Sequence, residues 1–150
     1  MSWSAMNNSI SLEIVILYMS AIFWTLGYDT IYGTQDMSED EIIGLKSTSI
    51  KFKKNLKLFV FFSYSIASVM ILYLFRFYLG LNLFSFLILI FLFTLIFQLF
   101  NFHKNKPETC LKMFKLNNLS GLIMFTSIIL IGFYPLRKNC HLKIIHLISM

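Results

Sequence analysis

The chain has 150 residues, of which 57% are apolar and only 13% charged, about half the charged share of an ordinary soluble domain. Its mean hydropathy is +0.73, more hydrocarbon than a water-soluble fold of this size could enclose, which excludes a soluble globular domain. The net charge of +6 comes without any nucleic-acid-binding module, and juxtamembrane lysines meeting anionic lipid headgroups account for it better than a nucleic acid partner.

The first residues, "MSWSAMNNSISLE", have neither a basic stretch ahead of an apolar one nor a small-residue cleavage site. They do not read as a removable leader, and the first helix is expected to be retained. Four runs, 10–32, 56–78, 81–100 and 119–136, come close to the roughly 20 apolar residues a helix needs to cross a bilayer. Each run is continuously apolar instead of alternating every second residue, which argues against a β-barrel. The expected fold is all-α: a polytopic transmembrane bundle of about four helices.

At the end of the first run, "YDTIYGTQDMSEDEIIGLKST" gathers five of the chain's seven acidic residues. On a continuous helix, positions i, i+4 and i+7 share a face, so Asp29, Asp36 and Asp40 would form one stripe and converge. A carboxylate at the membrane boundary costs free energy unless it has a partner. Mg²⁺ is a suitable one, because it takes hard oxygen ligands, binds through one or two carboxylates and completes its shell with water and phosphate oxygens. Lys46, just past Gly44, could bring a positive charge to the same phosphates. Glu39 and Glu41 read as solvated surface charges. An EF-hand is a poor match, since "DMSEDEIIG" lacks the glycine at the sixth loop position. Ser47 and Thr48 could hydrogen-bond phosphate or cap the next helix.

Lys46, Lys51, Lys53, Lys54 and Lys57 lie between the first and second runs, and Lys104, Lys106, Lys112 and Lys115 between the third and fourth. Both connections fall on one side of a four-helix arrangement, which the positive-inside rule makes cytoplasmic, and the acidic window shares that side. The turn "LGLN" lies opposite, with Arg76 before it positioned to snorkel to the interface. Pro107 and His103 read as loop residues. Cys110 and Cys140 lack metal-ligand spacing and read as ordinary apolar side chains. His141 and His146 belong to a basic tail whose Arg137, Lys138 and Lys143 run against the charge rule.

The order of residues in "FWTLGYDTIYGTQDMSEDEIIGLKSTSIKF", with YDT..Y, D...D and IG.KST elements in sequence, resembles the second aspartate-rich motif of the UbiA superfamily of intramembrane prenyltransferases. Within it, the wording is most similar to the branch that acts on 4-hydroxybenzoate. "ETCLKMFKLNNLSGLIMF" resembles the family segment that carries an FK.N...G pattern into the final helix. The resemblance implies that Asp36 and Asp40 are the metal-binding pair and Mg²⁺ the cofactor. Asp29 and Lys46 would bind the diphosphate of a polyprenyl diphosphate, Lys46 as a catalytic side chain, with Tyr28 and Tyr32 as pocket residues flanking Asp29. It further implies alkylation of 4-hydroxybenzoate in ubiquinone biosynthesis, within the inner (cytoplasmic) membrane, between helices embedded in the lipid bilayer.

The family's other aspartate-rich motif, NDxxDxxxD, has no counterpart here, and the residues after Tyr134 do not resemble the family's terminus. The expected organisation is therefore the C-terminal part of a UbiA-type domain over 1–136, corresponding to about four helices of a bundle of about nine, followed by a divergent basic tail over 137–150. A separately encoded N-terminal half is the expected partner, and the fragment alone is expected to be inactive. The alternatives are a catalytically dead membrane remnant of a split or decayed gene, or a sister specificity such as haem farnesylation.

Overall fold

The computed structural model of the chain describes residues 11–133 apart from Leu45 and Asn105. The expectations for the extreme N-terminus, for Cys140, His141 and His146, and for the tail at 137–150 lie outside the described residues. Six helices follow one another: α1 Leu12–Gly33, α2 Met37–Ile43, α3 Thr48–Lys51, α4 Leu56–Leu74, α5 Leu83–Asn101 and α6 Pro107–Phe133. Four of them, α1, α4, α5 and α6, are long and apolar enough to cross a membrane. The fold is the all-α bundle that the apolar runs predict.

Helices are the form these runs must take in lipid, where no water is present to satisfy backbone N–H and C=O groups. Polar side chains complete the ends. Ser11 accepts from the Ile14 amide at 3.4 Å to open α1, and Asn82 accepts from the Ser85 amide at 2.9 Å to open α5. The second run stops being helical at Leu74, short of the predicted residue 78. Beyond it Phe75 and Tyr78 turn back onto Phe84, with ring centroids 5.6 and 6.2 Å away.

The fourth helix departs most from expectation. It begins at Pro107, not at residue 119. Pro107 is therefore a helical residue, placed at the first position, where its missing N–H would have had no intrahelical partner. Lys112 and Lys115 ride on the helix rather than in a loop. The helical signal was the spacing of Cys110, Met113, Phe114 and Asn117, which puts one face toward the bundle; the interspersed lysines hid it from a search for continuous apolar runs.

The helices form a ring. α1 packs most extensively against α4 and α6 against α5, and contacts of α1 with α6 and α4 with α5 close it. A Cβ on Gly27 would overlap the Tyr64 ring, so the glycine is what lets α1 and α4 approach at that level. Inside the ring, Tyr64 donates to Gln98 Oε1 at 2.7 Å, Gln98 donates to Ser120 Oγ at 3.0 Å, and Thr94 and Ser120 share a hydrogen bond of 2.8 Å. Gln98 is fully buried, and this chain of partners is what makes its amide tolerable there. Outward, Phe61, Phe86, Phe93, Phe100, Leu122 and Phe125 are exposed, a surface suited to lipid tails.

Candidate functional site

Trp24, Tyr28 and Tyr32 stand four residues apart on α1 and so lie one above another. They face α6. Trp24 Nε1 donates to Asn117 Oδ1 at 3.0 Å, and the Tyr28 and Tyr32 rings lie 6.0 and 4.6 Å from that of Phe114. Trp24 also meets Phe91 of α5 edge-on, with centroids 5.1 Å apart. The YDT..Y and FK.N...G segments, more than 80 residues apart in sequence, are thereby brought together as one aromatic wall.

At the end of α1 the backbone turns. Thr34 donates its hydroxyl to the Thr30 carbonyl at 2.7 Å, satisfying one of the last-turn oxygens, and the Gln35 amide reaches the Tyr32 carbonyl at 2.9 Å. Asp36 then opens α2, its carbonyl accepting from Glu39 and Asp40 at 3.0 and 2.9 Å. Gly44 stops α2 in the left-handed region, φ +79°, where glycine alone avoids a Cβ penalty. The chain next doubles back: Ser49 donates to the Gly33 carbonyl at 2.9 Å, Thr30 donates to Thr48 Oγ1 at 3.4 Å, and Ser47 and Ser49 are hydrogen-bonded at 2.9 Å. Ser47 also caps α3 by accepting from Ile50 N at 3.4 Å. The IG.KST residues thus fasten the acidic loop to the end of the helix that carries YDT.

This path corrects one expectation. Because α1 ends at Gly33, the three aspartates do not form one continuous helical stripe, and among the described residues no three His, Cys, Asp or Glu side chains gather as a metal-holding group. Asp29 is exposed on α1, while Asp36 and Asp40 are half-buried and one helical turn apart. Tyr28 is half-buried, and Tyr32 and Lys46 are exposed. Glu39 and Glu41 are exposed as expected, though Glu41 binds Lys53 through both oxygens at 2.7 and 2.8 Å. Among the described residues, Asp29, Asp36 and Asp40 have no ion-pair partner.

The residue types at the Asp36 loop are of the class Mg²⁺ takes. Asp36 and Asp40, one turn apart in the backbone, offer hard carboxylate oxygens, and the preceding residue, Gln35, has its Oε1 buried without a hydrogen-bond partner, an orphaned oxygen acceptor. Imidazole and thiolate ligands, which would favour a softer metal, are not among these three side chains. Gln35 and Trp24 were not singled out from sequence, whereas Asn117 is the asparagine of the FK.N...G pattern. The signal for Trp24 was an indole N–H within an apolar run, which in lipid calls for a partner.

Membrane-length helices that end in a fastened acidic loop beside an aromatic wall define an integral membrane protein with most of its carboxylates gathered at one end of the bundle. The chain belongs to the UbiA prenyltransferase family, whose model matches residues 1–129. It is 36% identical over 131 residues to the mitochondrial 4-hydroxybenzoate polyprenyltransferase of Bos taurus, covering 87% of this chain and 35% of that protein. The corresponding Homo sapiens protein is 34% identical over 140 residues, covering 93% of this chain and 38% of that one. 4-Hydroxybenzoate geranyltransferase 2 of Lithospermum erythrorhizon is 34% identical over 141 residues, covering 89% and 46%. The chain therefore spans less than half the length of each of these relatives. No solved structure matches it.

Proposed function

We propose that this chain forms the second aspartate-rich half of a prenyltransferase that moves a polyprenyl group from polyprenyl diphosphate to the ring of 4-hydroxybenzoate, in ubiquinone biosynthesis. The observation that carries the reading is a juxtaposition. Asp36 and Asp40, free of ion pairs among the described residues, sit on a loop fastened to the helix end that bears Tyr28, Asp29 and Tyr32.

In this reading Asp36 and Asp40 would hold Mg²⁺, and the buried, unpartnered Oε1 of the preceding Gln35 is a candidate further oxygen. When bound, the cation supplies Lewis-acid stabilisation to the departing diphosphate. Lys46 adds a compact positive charge at the phosphate oxygens, and Asp29, Tyr28 and Tyr32 line the substrate side. The allylic C–O bond breaks with its electron pair leaving on the diphosphate. The ring carbon beside the hydroxyl of 4-hydroxybenzoate then bonds to the allylic carbon, and the ring gives up its proton. The apolar helices hold the isoprenoid tail and keep water from the cation.

The site faces the cytoplasm of an inner membrane, and a segment carrying the other aspartate-rich motif completes it. Membranes containing this chain alone, and the chain co-expressed with an NDxxDxxxD-bearing half, should be assayed with polyprenyl diphosphate, 4-hydroxybenzoate and Mg²⁺. Turnover is expected only from the pair, and is lost with Asp36→Ala or on chelation. Full activity of the Asp36→Ala pair refutes the metal assignment, and no turnover from the unaltered pair identifies a catalytically dead remnant.

A further inference from the structure

We propose that the groove between the start of α4 and the α5–α6 connection is a binding site for the phosphate of an anionic phospholipid. The groove has a volume of ≈ 570 Å³ and is lined by Lys53 to Leu58 on one side and Phe102, His103, Lys104 and Lys106 on the other. Five of its side chains are lysines. Lys53 is neutralised by Glu41 at 2.7 Å; Lys54, Lys57, Lys104 and Lys106 have no carboxylate partner among the described residues. Four lysines without a carboxylate partner among the described residues thus line one cavity, and an anion relieves the repulsion among like charges.

Two further observations point to a ligand. The cap residue of α4, Asn55, makes no side-chain hydrogen bond to the first turn, so the helix start that lines the groove keeps the partial positive charge of its uncapped amides. Lys57 is held with its ammonium 5.6 Å above the ring of Phe102, which is itself fully buried.

Place and floor select a lipid. The groove lies where α4 starts and α5 ends, both membrane-length helices, hence at headgroup height. Leu56 and Phe102 give it an apolar base, and the exposed Leu58 continues that surface along α4 to where acyl chains run. A phosphate carrying acyl chains meets both parts of the groove; a free phosphate ion meets only the rim. The site differs from the prenyl-transfer site in chemistry as well as residues, since cations do here what carboxylates do there.

The test uses the whole 150-residue chain in nanodiscs of phosphatidylcholine containing a minor share of phosphatidylglycerol, with retained lipids counted by native mass spectrometry. Phosphatidylglycerol should be retained roughly tenfold over its share, a preference on the scale of a few lysines near a headgroup. Combining Lys54→Gln, Lys57→Gln and Lys104→Gln should abolish the preference, and arginine at the same three positions should keep it. Lys51→Gln with Lys112→Gln, outside the groove, should leave it intact. Should the triple glutamine variant lose its helical circular dichroism, Lys104→Gln with Lys106→Gln is read by the same criterion. Equal retention by groove and control variants overturns the proposal. So does displacement of phosphatidylglycerol by millimolar inorganic phosphate, which would mark a soluble-anion site.

Discussion

Asp40 and Glu41 are neighbours in the chain with different surroundings. Both oxygens of Glu41 are taken by Lys53, whereas Asp40 has no ion pair among the described residues. The Glu41 pair is exposed on both sides, 37% and 51%, and pairs of that kind contribute about 0 to 1 kcal/mol. In the reconstituted pair of halves, Asp36→Asn or Asp40→Asn should therefore lower kcat/KM roughly hundredfold, the scale of losing one preorganised electrostatic contact to a transition state. Glu41→Gln should change it by less than about threefold. Steady-state kinetics across a magnesium titration separates the cases, because only the aspartate variants should also need more metal. Lys46→Arg should retain much of the activity that Lys46→Gln loses, mainly in KM for the diphosphate. Equal kinetics for the Asp40 and Glu41 variants would mean that the ion-pair pattern does not mark the site. As candidates the aspartates stand out in the sequence because carboxylates are rare in so apolar a chain. Gln35 does not, since an amide gains meaning only when its oxygen is seen buried and unpartnered.

Among the elements, what the residues reveal is existence more than arrangement. Continuous apolar runs announce α1, α4 and α5 within a few residues, but runs apolar on all sides name no preferred face, so they leave open which helix packs on which. Small residues decide it. At Gly27 the Tyr64 ring occupies the space a Cβ would need, and the same tyrosine carries the hydrogen bond to Gln98 that ties α4 to α5. Gly27→Ala should destabilise the bundle by roughly 1 to 3 kcal/mol, the cost of overpacking a filled contact. Tyr64→Phe should cost about 1 kcal/mol through the lost hydrogen bond. Unfolding in mixed micelles checks both. A Gly27→Ala protein as stable as the parent would show that α1 and α4 do not meet there. The helical stripe through Asp36 and Asp40 was misread for a related reason: Gly33, Thr34 and Gln35 include no proline, and the break comes with the Thr34 hydroxyl and the returning Ser49, a tertiary contact that periodicity does not contain.

For the whole molecule, the distribution of charge along the bundle axis sets the orientation. Nine lysines from Lys46 to Lys115 sit at the end where α1 and α5 stop and α4 and α6 begin. The described part of the opposite end carries Arg76, whose guanidinium lies 4.3 and 4.4 Å from the rings of Tyr73 and Phe77. An arginine flattened on two aromatic rings suits an interface, and under the proposed function the positive-inside rule assigns the lysine-rich end to the cytoplasm. Site-directed labelling checks this. In a background carrying Cys110→Ala and Cys140→Ser, Gly80→Cys adds a Cβ that meets only Asn82 at 3.8 Å, an ordinary contact, and Lys51→Cys replaces an exposed side chain. An impermeant maleimide should label Gly80→Cys in intact cells and Lys51→Cys only after permeabilisation. Labelling of both from outside would break the four-span arrangement; the reverse pattern would keep the bundle and invert it. Under the proposed function the orientation bears on the chemistry, because a diphosphate, its magnesium and Lys46 would all need the hydrated face, while an isoprenoid tail would need the hydrocarbon between the helices. In that proposal those needs meet where α1 ends at Gly33 and the Ser49 hydroxyl fastens the returning chain to it.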